Sequence, residues 1–214
     1  MTQIKHHLTD ALLMAYSAGS LPEAFGLTVA THISMCDDCR ARMEAYDTMG
    51  GALMEDCQGS AMAEGSLEAT MAMIEGTSPE PAAPLRPKGV LPQPLQDYVG
   101  GDLDSIQWRP VGMGVKQAIL PTSKDATARL LFIPAGAAMP DHTHGGTELT
   151  LVLQGAFSDE IDRFARGDIE VTDENDQHTP VADIGMDCIC LAATDAPLKF
   201  KGLMPRLAQP FLNI

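Results

Sequence analysis

The 214-residue sequence is poor in basic residues, aromatic residues and long apolar runs. Lys and Arg together number 14 against 29 Asp and Glu, which gives a formal net charge of −15. A chain this acidic is not expected to hold the phosphates of DNA or RNA, although it suits a basic protein surface. No stretch approaches the roughly 18 apolar residues of a membrane span, and residues 1–10 lack the apolar run of a signal peptide. We therefore expect a cytoplasmic protein that binds neither nucleic acid nor membrane.

Cysteine is also scarce, and two of the five cysteines lie in one short pattern. Residues 32–39 read His-Ile-Ser-Met-Cys-Asp-Asp-Cys, an H-x-x-x-C-x-x-C spacing. On the first turn of a helix, Cys36 and Cys39 reach one point, and His32 can join them if the chain bends before the helix. Two thiolates and an imidazole suit Zn²⁺, so this pattern predicts a metal site.

A tetrahedral zinc site needs a fourth ligand, and the candidates are His6 and His7 near the N-terminus. Spacing alone does not choose between them. The alternatives to zinc are a free thiol pair in a helical turn and a C-x-x-C redox pair. A structural disulfide is not expected in the cytoplasm. A metal also makes physical sense, since a helical region of about 76 residues with few aromatics would be marginally stable alone.

A second metal-ligand pattern lies in residues 136–155. His142 and His144 are two residues apart, so in an extended chain both rings point to one side. Glu148 begins the next predicted strand and can return to the same point, and His178 follows later in the chain. Three imidazoles and a carboxylate fit Zn²⁺, Mn²⁺, Fe²⁺ or Ni²⁺, and we expect a metal here as well.

Composition divides the chain into three segments. Residues 1–76 carry predicted helices, residues 77–95 hold six prolines, and residues 96–214 carry predicted strands. The proline-rich segment is expected to be an extended linker that keeps the flanking domains from sharing a core. The predicted fold class is two-domain α + β, with a small all-α domain followed by an all-β barrel or jelly roll. The predicted helices cover about 10–18, 22–33, 36–53 and 67–75, and the predicted strands 128–133, 147–154, 168–172, 187–193, 198–201 and the tail to Ile214.

The helical segment is rich in methionine and in acidic residues. Through residue 85, Lys5, Arg40 and Arg42 stand against twelve acidic residues, a net charge of −9. Flexible methionine surfaces adapt to partners, and the acid excess suits a basic partner. The plainer alternatives are gap-filling in a small core and solubility.

Two motifs indicate a family. Residues 136–155 match the first cupin motif at every spacing, and residues 167–178 match the second in part, with Asp173 in place of its Pro and Asn175 in place of its Gly. The H-x-x-x-C-x-x-C module resembles the zinc-binding anti-sigma domain. Joined to a cupin by a Pro-rich linker, it resembles the ChrR family of anti-sigma factors over essentially the whole chain, including Cys188–Asp195.

The resemblance implies two zinc sites, one in each domain, and no catalytic residues. By that resemblance the first zinc is held by His7, His32, Cys36 and Cys39, and the second by His142, His144, Glu148 and His178. It also implies an anti-sigma function rather than an enzyme. The helical domain would bind an extracytoplasmic-function sigma factor in a 1:1 complex, and the cupin domain would trigger release in response to singlet oxygen or related photo-oxidative stress.

Two other functions stay open from the residues themselves. The cupin ligand set would permit a metal-dependent dioxygenase or isomerase with an accessory helical module, provided the metal keeps an open position. A DNA-binding regulator is disfavoured because only three basic residues precede residue 86. Cys188 and Cys190, two apart in a predicted strand, are either small buried core residues or a redox pair near the cupin site.

Overall fold

The computed structural model describes residues 3–78, 88–200 and 202. The predicted tail strand to Ile214 and residues 79–87 of the predicted linker lie outside these ranges. The described helices are α1 (Asp10–Ser17), α2 (Glu23–Ile33), α3 (Asp37–Glu55), α4 (Ser66–Gly76), α5 (Gln93–Val99) and a 3-10 turn at Leu103–Ser105. The described strands are β1 (Arg109–Gly112), β2 (Val115–Ile119), β3 (Thr127–Ile133), β4 (His142–Thr143), β5 (Glu148–Gln154), β6 (Ala156–Ser158), β7 (Arg163–Ala165), β8 (Ile169–Thr172), β9 (Gln177–His178), β10 (Val181–Ala182), β11 (Cys188–Thr194) and β12 (Lys199–Phe200).

Short turns bring the ends of the N-terminal helices together. The Thr9 hydroxyl caps α1 by accepting the Leu12 N–H at 3.3 Å, a role that Thr fills well because its oxygen replaces a missing helix partner. After α2, the N–H groups of Met35 and Cys36 both donate to the His32 carbonyl at 2.9 Å. α3 therefore starts one tight turn after α2, and the two helix ends share a corner.

The strands form three antiparallel sheets within the described part of the chain. The largest has six strands in the order β1-β2-β3-β11-β5-β8, and the smaller ones have the orders β10-β6-β7 and β12-β4-β9. This arrangement confirms the predicted combination of a helical N-terminal part and an all-β C-terminal part. Strands of two residues, such as β4 and β9, escaped prediction because they are too short to show alternation.

Both faces of the six-stranded sheet are covered at its centre. All seven residues of β11 are buried, unlike the alternation of a strand with one face in water. Cys190 and Ala192 line an internal cavity, whereas Leu191 and Ala193 belong to an apolar cluster shared with the helices. We call these two sides the inner face and the outer face of the sheet.

The N-terminal helices cover the outer face. One apolar cluster joins Leu13, Phe25 and Val29 of the helices with Leu130 and Leu191 of the sheet. α2 contacts β3, β5 and β11, and eight of its eleven residues are buried. The expectation of two separate cores is therefore wrong, because the sheet is the packing partner of the apolar face of α2.

The C-terminal end of the predicted linker also belongs to the packed structure. Leu91 and Leu95 are buried in the shared cluster, and α5 begins within this segment, with proline at its start. Proline suits the first turn of a helix, where an N–H group would have no helical partner. The division into 1–76, 77–95 and 96–214 otherwise stays a prediction. Within the described ranges, no helix is both long and apolar enough to cross a membrane.

Candidate metal centres

Four side chains converge at the corner between α2 and α3. They are His7, His32, Cys36 and Cys39, and one ligand atom from each lies within 4.8 Å of all the others. His7 comes from the segment before α1, His32 from the last turn of α2, and the cysteines from the start of α3. His7 Nδ1 is 3.3 Å from Cys36 Sγ and 3.6 Å from Cys39 Sγ. The structure thus brings together all four residues expected at the first zinc.

The chemistry of this cluster fits a zinc ion. The His32 ring is fully buried, and neither of its nitrogens has a hydrogen-bond partner of normal geometry among the described residues. Burial, followed by repulsion from His7, lowers the pKa of His32 to about 4, so the ring is neutral at pH 7. Burial raises the pKa of the Cys39 thiol to about 11. A Zn²⁺ ion would accept the free His32 lone pair and stabilise the thiolates.

The neighbouring His6 faces the β-sheet part of the chain instead. Its Nε2 lies 3.0 Å from Asp162 Oδ2, and the N–H groups of Lys5 and His6 donate to Asp168 Oδ1 at 2.6 and 3.0 Å. Successive residues of an extended chain point in opposite directions. His7 therefore reaches the cysteines while His6 docks on the sheet, and this geometry favours His7 as the fourth ligand.

Three histidines meet inside the barrel formed by the strands. His142 on β4 is paired with His178 on β9, and His144 follows His142 by two residues. His178 Nε2 lies 3.2 Å from both His142 Nε2 and His144 Nε2, and all three residues are buried. A neutral imidazole has one N–H and one lone pair, so three ring nitrogens that meet at this distance need a shared proton or a cation between them.

Hydrogen bonds on the far side of two rings direct their lone pairs to this point. His142 Nδ1 donates to the Pro140 carbonyl at 2.8 Å. His178 Nδ1 lies 3.2 Å from both Asp159 Oδ2 and Glu170 Oε1. With Nδ1 protonated, Nε2 is free to bind a metal, as is usual for ligand histidines. Burial alone would lower the pKa of His178, but the bonds to Glu170 and Asp159 outweigh it and raise this pKa to about 9. Without a metal the ring therefore carries a proton on both nitrogens at pH 7, and a bound metal would displace the proton from Nε2.

Glu148 lies beside the three histidines. Its Oε2 is 3.7 Å from His144 Nδ1, and its Oε1 accepts a hydrogen bond from Thr150 at 3.1 Å. Burial would raise the pKa of Glu148, but the bond and charge of His144 outweigh it and lower this pKa, so the side chain is a carboxylate. The structure brings the three histidines within 4.8 Å of one another, and these imidazoles fit a divalent transition-metal ion. Glu148 is not part of that group, because it approaches His144 at Nδ1 and not at the Nε2 that meets the other rings.

Asp159 and Glu170 are functional neighbours that the sequence reasoning missed. Glu170 could have been found from the strand pattern, because it alternates with Ile169 and Val171 on β8 and its side chain points to the inner face. No sequence pattern pointed to Asp159, since it meets His178 only after the chain has folded. Their role follows from the hydrogen bonds described above: they fix the protonated nitrogen of His178.

Among the residues that the structure describes, the cysteines outside the first centre have no ligand partners of this kind. Cys188 and Cys190 on β11 are buried, with their Sγ atoms 3.5 Å apart. The contact with Cys188, followed by burial, raises the pKa of Cys190, which disfavours the reactive thiolate. Cys57 is exposed. The burial of both residues and the raised pKa of Cys190 favour the interpretation of this pair as core residues.

Comparison with known proteins gives consistent matches over the whole chain. A family model described as the ChrR cupin-like domain matches residues 96–196. Anti-sigma-E factor ChrR of Cereibacter sphaeroides is 58% identical over 211 residues, which is 99% of each chain. A crystal structure of Rhodobacter sphaeroides SigE in complex with the anti-sigma ChrR contains a chain that is 57% identical, with a TM-score of 0.80 over 90% of this chain and 100% of that one.

Proposed function

The chain belongs to the ChrR family of anti-sigma factors, and from this premise we propose that it sequesters an extracytoplasmic-function sigma factor in a 1:1 complex in the cytoplasm. The related chain occurs in a complex with SigE. Photo-oxidative stress, singlet oxygen in particular, releases the sigma factor, and the cupin-like part receives that signal. The family resemblance supports the nature of the signal, and the surface of the helices supports the binding.

One observation carries the proposal: the second half of α3, the segment after it and α4 expose a row of large apolar side chains. They are between 47% and 79% exposed, and no residue of α4 is buried. Eight exposed apolar side chains within 26 residues of the chain are more than scattered surface positions, and we take them as an interaction site. We call it the helical docking surface, and it consists of Met49, Leu53, Met54, Met62, Leu67, Met71, Met73 and Ile74.

The charge around the helical docking surface fits a sigma factor. Residues 37–76 contain nine acidic residues and two arginines. A sigma factor carries basic surfaces because it contacts DNA phosphates, and complementary charge speeds the encounter of two proteins. Methionine supplies five of the eight apolar side chains and lets the surface adapt to its partner. An acidic, methionine-rich surface therefore suits this class of partner.

Each proposed metal has a distinct role. Zinc at the first centre, with His7, His32, Cys36 and Cys39 as ligands, supplies the bonds that fix the corner between α2 and α3. α3 runs from that corner and carries the first residues of the helical docking surface in its second half. The second centre, with His142, His144, Glu148 and His178 as ligands, holds a divalent ion that we propose to be zinc. His178 keeps its orientation there through Asp159 and Glu170.

A continuous series of contacts joins the two centres and provides a route for the signal. His178 of the second centre is bonded to Glu170 on β8. Asp168, directly before β8, holds the backbone of His6, and the next residue, His7, lies in the first centre. A change at the second centre that moves β8 therefore alters the N-terminal segment, which couples the two centres.

A reporter for sigma-dependent transcription in the native host tests the proposal. The unmodified chain should repress the reporter in the dark, and a photosensitiser with light should relieve repression. Cys39→Ser should relieve repression without stress, because an incomplete zinc site cannot hold the helix corner. His178→Ala should still repress in the dark but respond weakly to light. A Cys39→Ser chain that represses normally would contradict the proposed role of zinc, and a normal light response of His178→Ala would contradict the proposed sensor.

A further inference from the structure

The barrel contains a cavity of about 480 Å³ next to the second metal centre. This volume is within the range of about 300–1,000 Å³ that small-molecule sites occupy. Most of the lining is apolar, and includes Val115, Leu131, Ile133, Met139, Phe157 and Phe200. A cavity with such walls and a few polar groups is the usual form of a binding site for an organic ligand.

Arg129 is a buried cation in the wall of this cavity. Its side chain projects from β3 on the same side as Leu131 and Ile133, and the residue is only 7% exposed. Among the described residues its guanidinium has one hydrogen bond, from Nη1 to Gln117 Oε1 at 3.3 Å. A guanidinium carries five N–H donors, so a long bond to a neutral amide uses little of its capacity. Burial lowers the pKa of Arg129, while the charge of Glu148 opposes that change.

The register of the sheet leaves the guanidinium accessible from the cavity. Arg129 on β3 pairs with Ala192 on β11. Ala192 pairs in turn with Thr150 on β5, and Thr150 pairs with Glu170 on β8. Neighbouring strands are about 4.8 Å apart, so Arg129 and Glu170 are separated by about 14 Å of sheet. The small side chain of Ala192 leaves space between them. Arg129 and the side of the second centre near Glu170 therefore lie at opposite edges of the cavity.

We propose that this cavity binds a small organic acid with an apolar body, and that Arg129 holds its carboxylate. The planar fork of a guanidinium matches a carboxylate through two parallel hydrogen bonds. A singly charged head suits the site better than a phosphate, because Glu148 and Glu170 also line the cavity and repel a second negative charge. The apolar walls take the hydrocarbon part, whose transfer from water favours binding. The inference does not depend on the proposed anti-sigma function.

Calorimetry with the purified, metal-loaded full-length chain and no sigma factor tests this assignment. The probe is octanoate, with octan-1-ol as the neutral molecule of the same length. Octanoate should bind at least tenfold more tightly than octan-1-ol. Equal affinities, or no binding of octanoate at millimolar concentration, would overturn the proposal. A negative result in the transcription reporter would contradict only the proposed function, because the calorimetry uses no sigma factor.

Variants of Arg129 separate anchoring by this residue from anchoring by the metal. Arg129→Gln should weaken octanoate at least tenfold and leave octan-1-ol unchanged, whereas Arg109→Gln, at an exposed arginine on β1, should change neither. Arg129→Lys keeps the charge without the fork, and should bind octanoate with intermediate affinity. It also provides the test if Arg129→Gln does not fold, as judged by thermal unfolding. Octanoate affinity that stays native in the folded variants would mean that the metal centre holds the carboxylate and that the proposal is wrong.

Discussion

α2 and α4 have the same length, eleven residues, and contrasting surroundings. Eight residues of α2 are buried, and none of α4 is. Both helices carry an apolar stripe, which for α4 includes Leu67, Met71 and Ile74 at helical spacing. α2 uses its stripe against the outer face of the six-stranded sheet, whereas α4 leaves its stripe in solvent. An apolar stripe on a helix therefore indicates that another surface covers it, and that surface can belong to the same chain or to a different protein.

Loss of zinc should reduce this contrast most strongly, because the first centre fixes the corner between the buried α2 and α3, and α3 is the helix that precedes α4. Cys39→Ser should lower the free energy of unfolding of the helical part by roughly 5 kcal/mol or more, since a structural zinc supplies much of the folding energy of a small domain. Thermal unfolding with metal analysis checks this. Cys57→Ser is the matched control, because Cys57 is exposed and should be neutral. Equal unfolding midpoints for the two variants would show that the site is not structural.

The same substitution on each helix tests the contrast directly. Leu27 on α2 is 9% exposed and Leu67 on α4 is 69% exposed. Leu27→Ala should destabilise the chain by about 2–4 kcal/mol, because it leaves a cavity against packed neighbours. Leu67→Ala should change stability by less than about 0.5 kcal/mol, because it removes no packing. Chemical denaturation of the purified variants measures both values. Similar losses would mean that α4 packs on the chain in solution.

The contact between the N-terminal segment and the sheet should have a smaller effect. Asp168 is buried and accepts the N–H groups of Lys5, His6 and Ala165. Asp168→Asn should destabilise by about 1–3 kcal/mol, because an amide nitrogen cannot accept a hydrogen bond. Asp125→Asn is the control, since Asp125 is exposed and should be nearly neutral.

The pH dependence of stability gives an independent check on Asp168. Burial would raise its pKa, but the backbone N–H groups outweigh burial and lower it. A carboxyl with a lowered pKa stabilises the folded chain above its unfolded value of about 3.9, and that stabilisation is lost as the pH falls through the folded value. The difference in stability between the native chain and Asp168→Asn should therefore shrink below about pH 4. A difference that stays constant would contradict the assigned hydrogen bonds.

The smallest expected effect concerns the link between α5 and the start of α2. The Tyr98 hydroxyl lies 2.8 Å from Glu23 Oε1 and 3.1 Å from the Pro121 carbonyl. Burial, followed by the bond to Glu23, raises the pKa of Tyr98 to about 12. Tyr98→Phe should destabilise by about 1 kcal/mol or less, because the bond is near the surface and water can replace it. A loss above 2 kcal/mol by denaturation would mean that this contact is far stronger than its exposure suggests.

The sequence predicted features that depend on local spacing. The H-x-x-x-C-x-x-C pattern placed Cys36 and Cys39 at the start of a helix, and the cupin motif brought His142 and His144 together. The sequence did not predict the core that the helices share with the sheet, because the apolar stripe of α2 does not show which surface will cover that helix. The prolines before residue 95 suggested a spacer, although Leu95 is buried. Asp159 was missed because its contact with His178 joins distant parts of the chain.

Affinity for the cognate sigma factor tests the central claim, that the exposed apolar stripe of α4 belongs to the partner. The full-length variant carries Leu67→Ser, Met71→Ser and Ile74→Ser, and Thr70→Ala provides a control on the same helix. We expect at least a hundredfold loss of affinity for the triple variant, with unchanged thermal unfolding, because several buried apolar contacts would be lost from the interface. Native affinity in the triple variant would mean that the sigma factor does not bind the apolar stripe of α4.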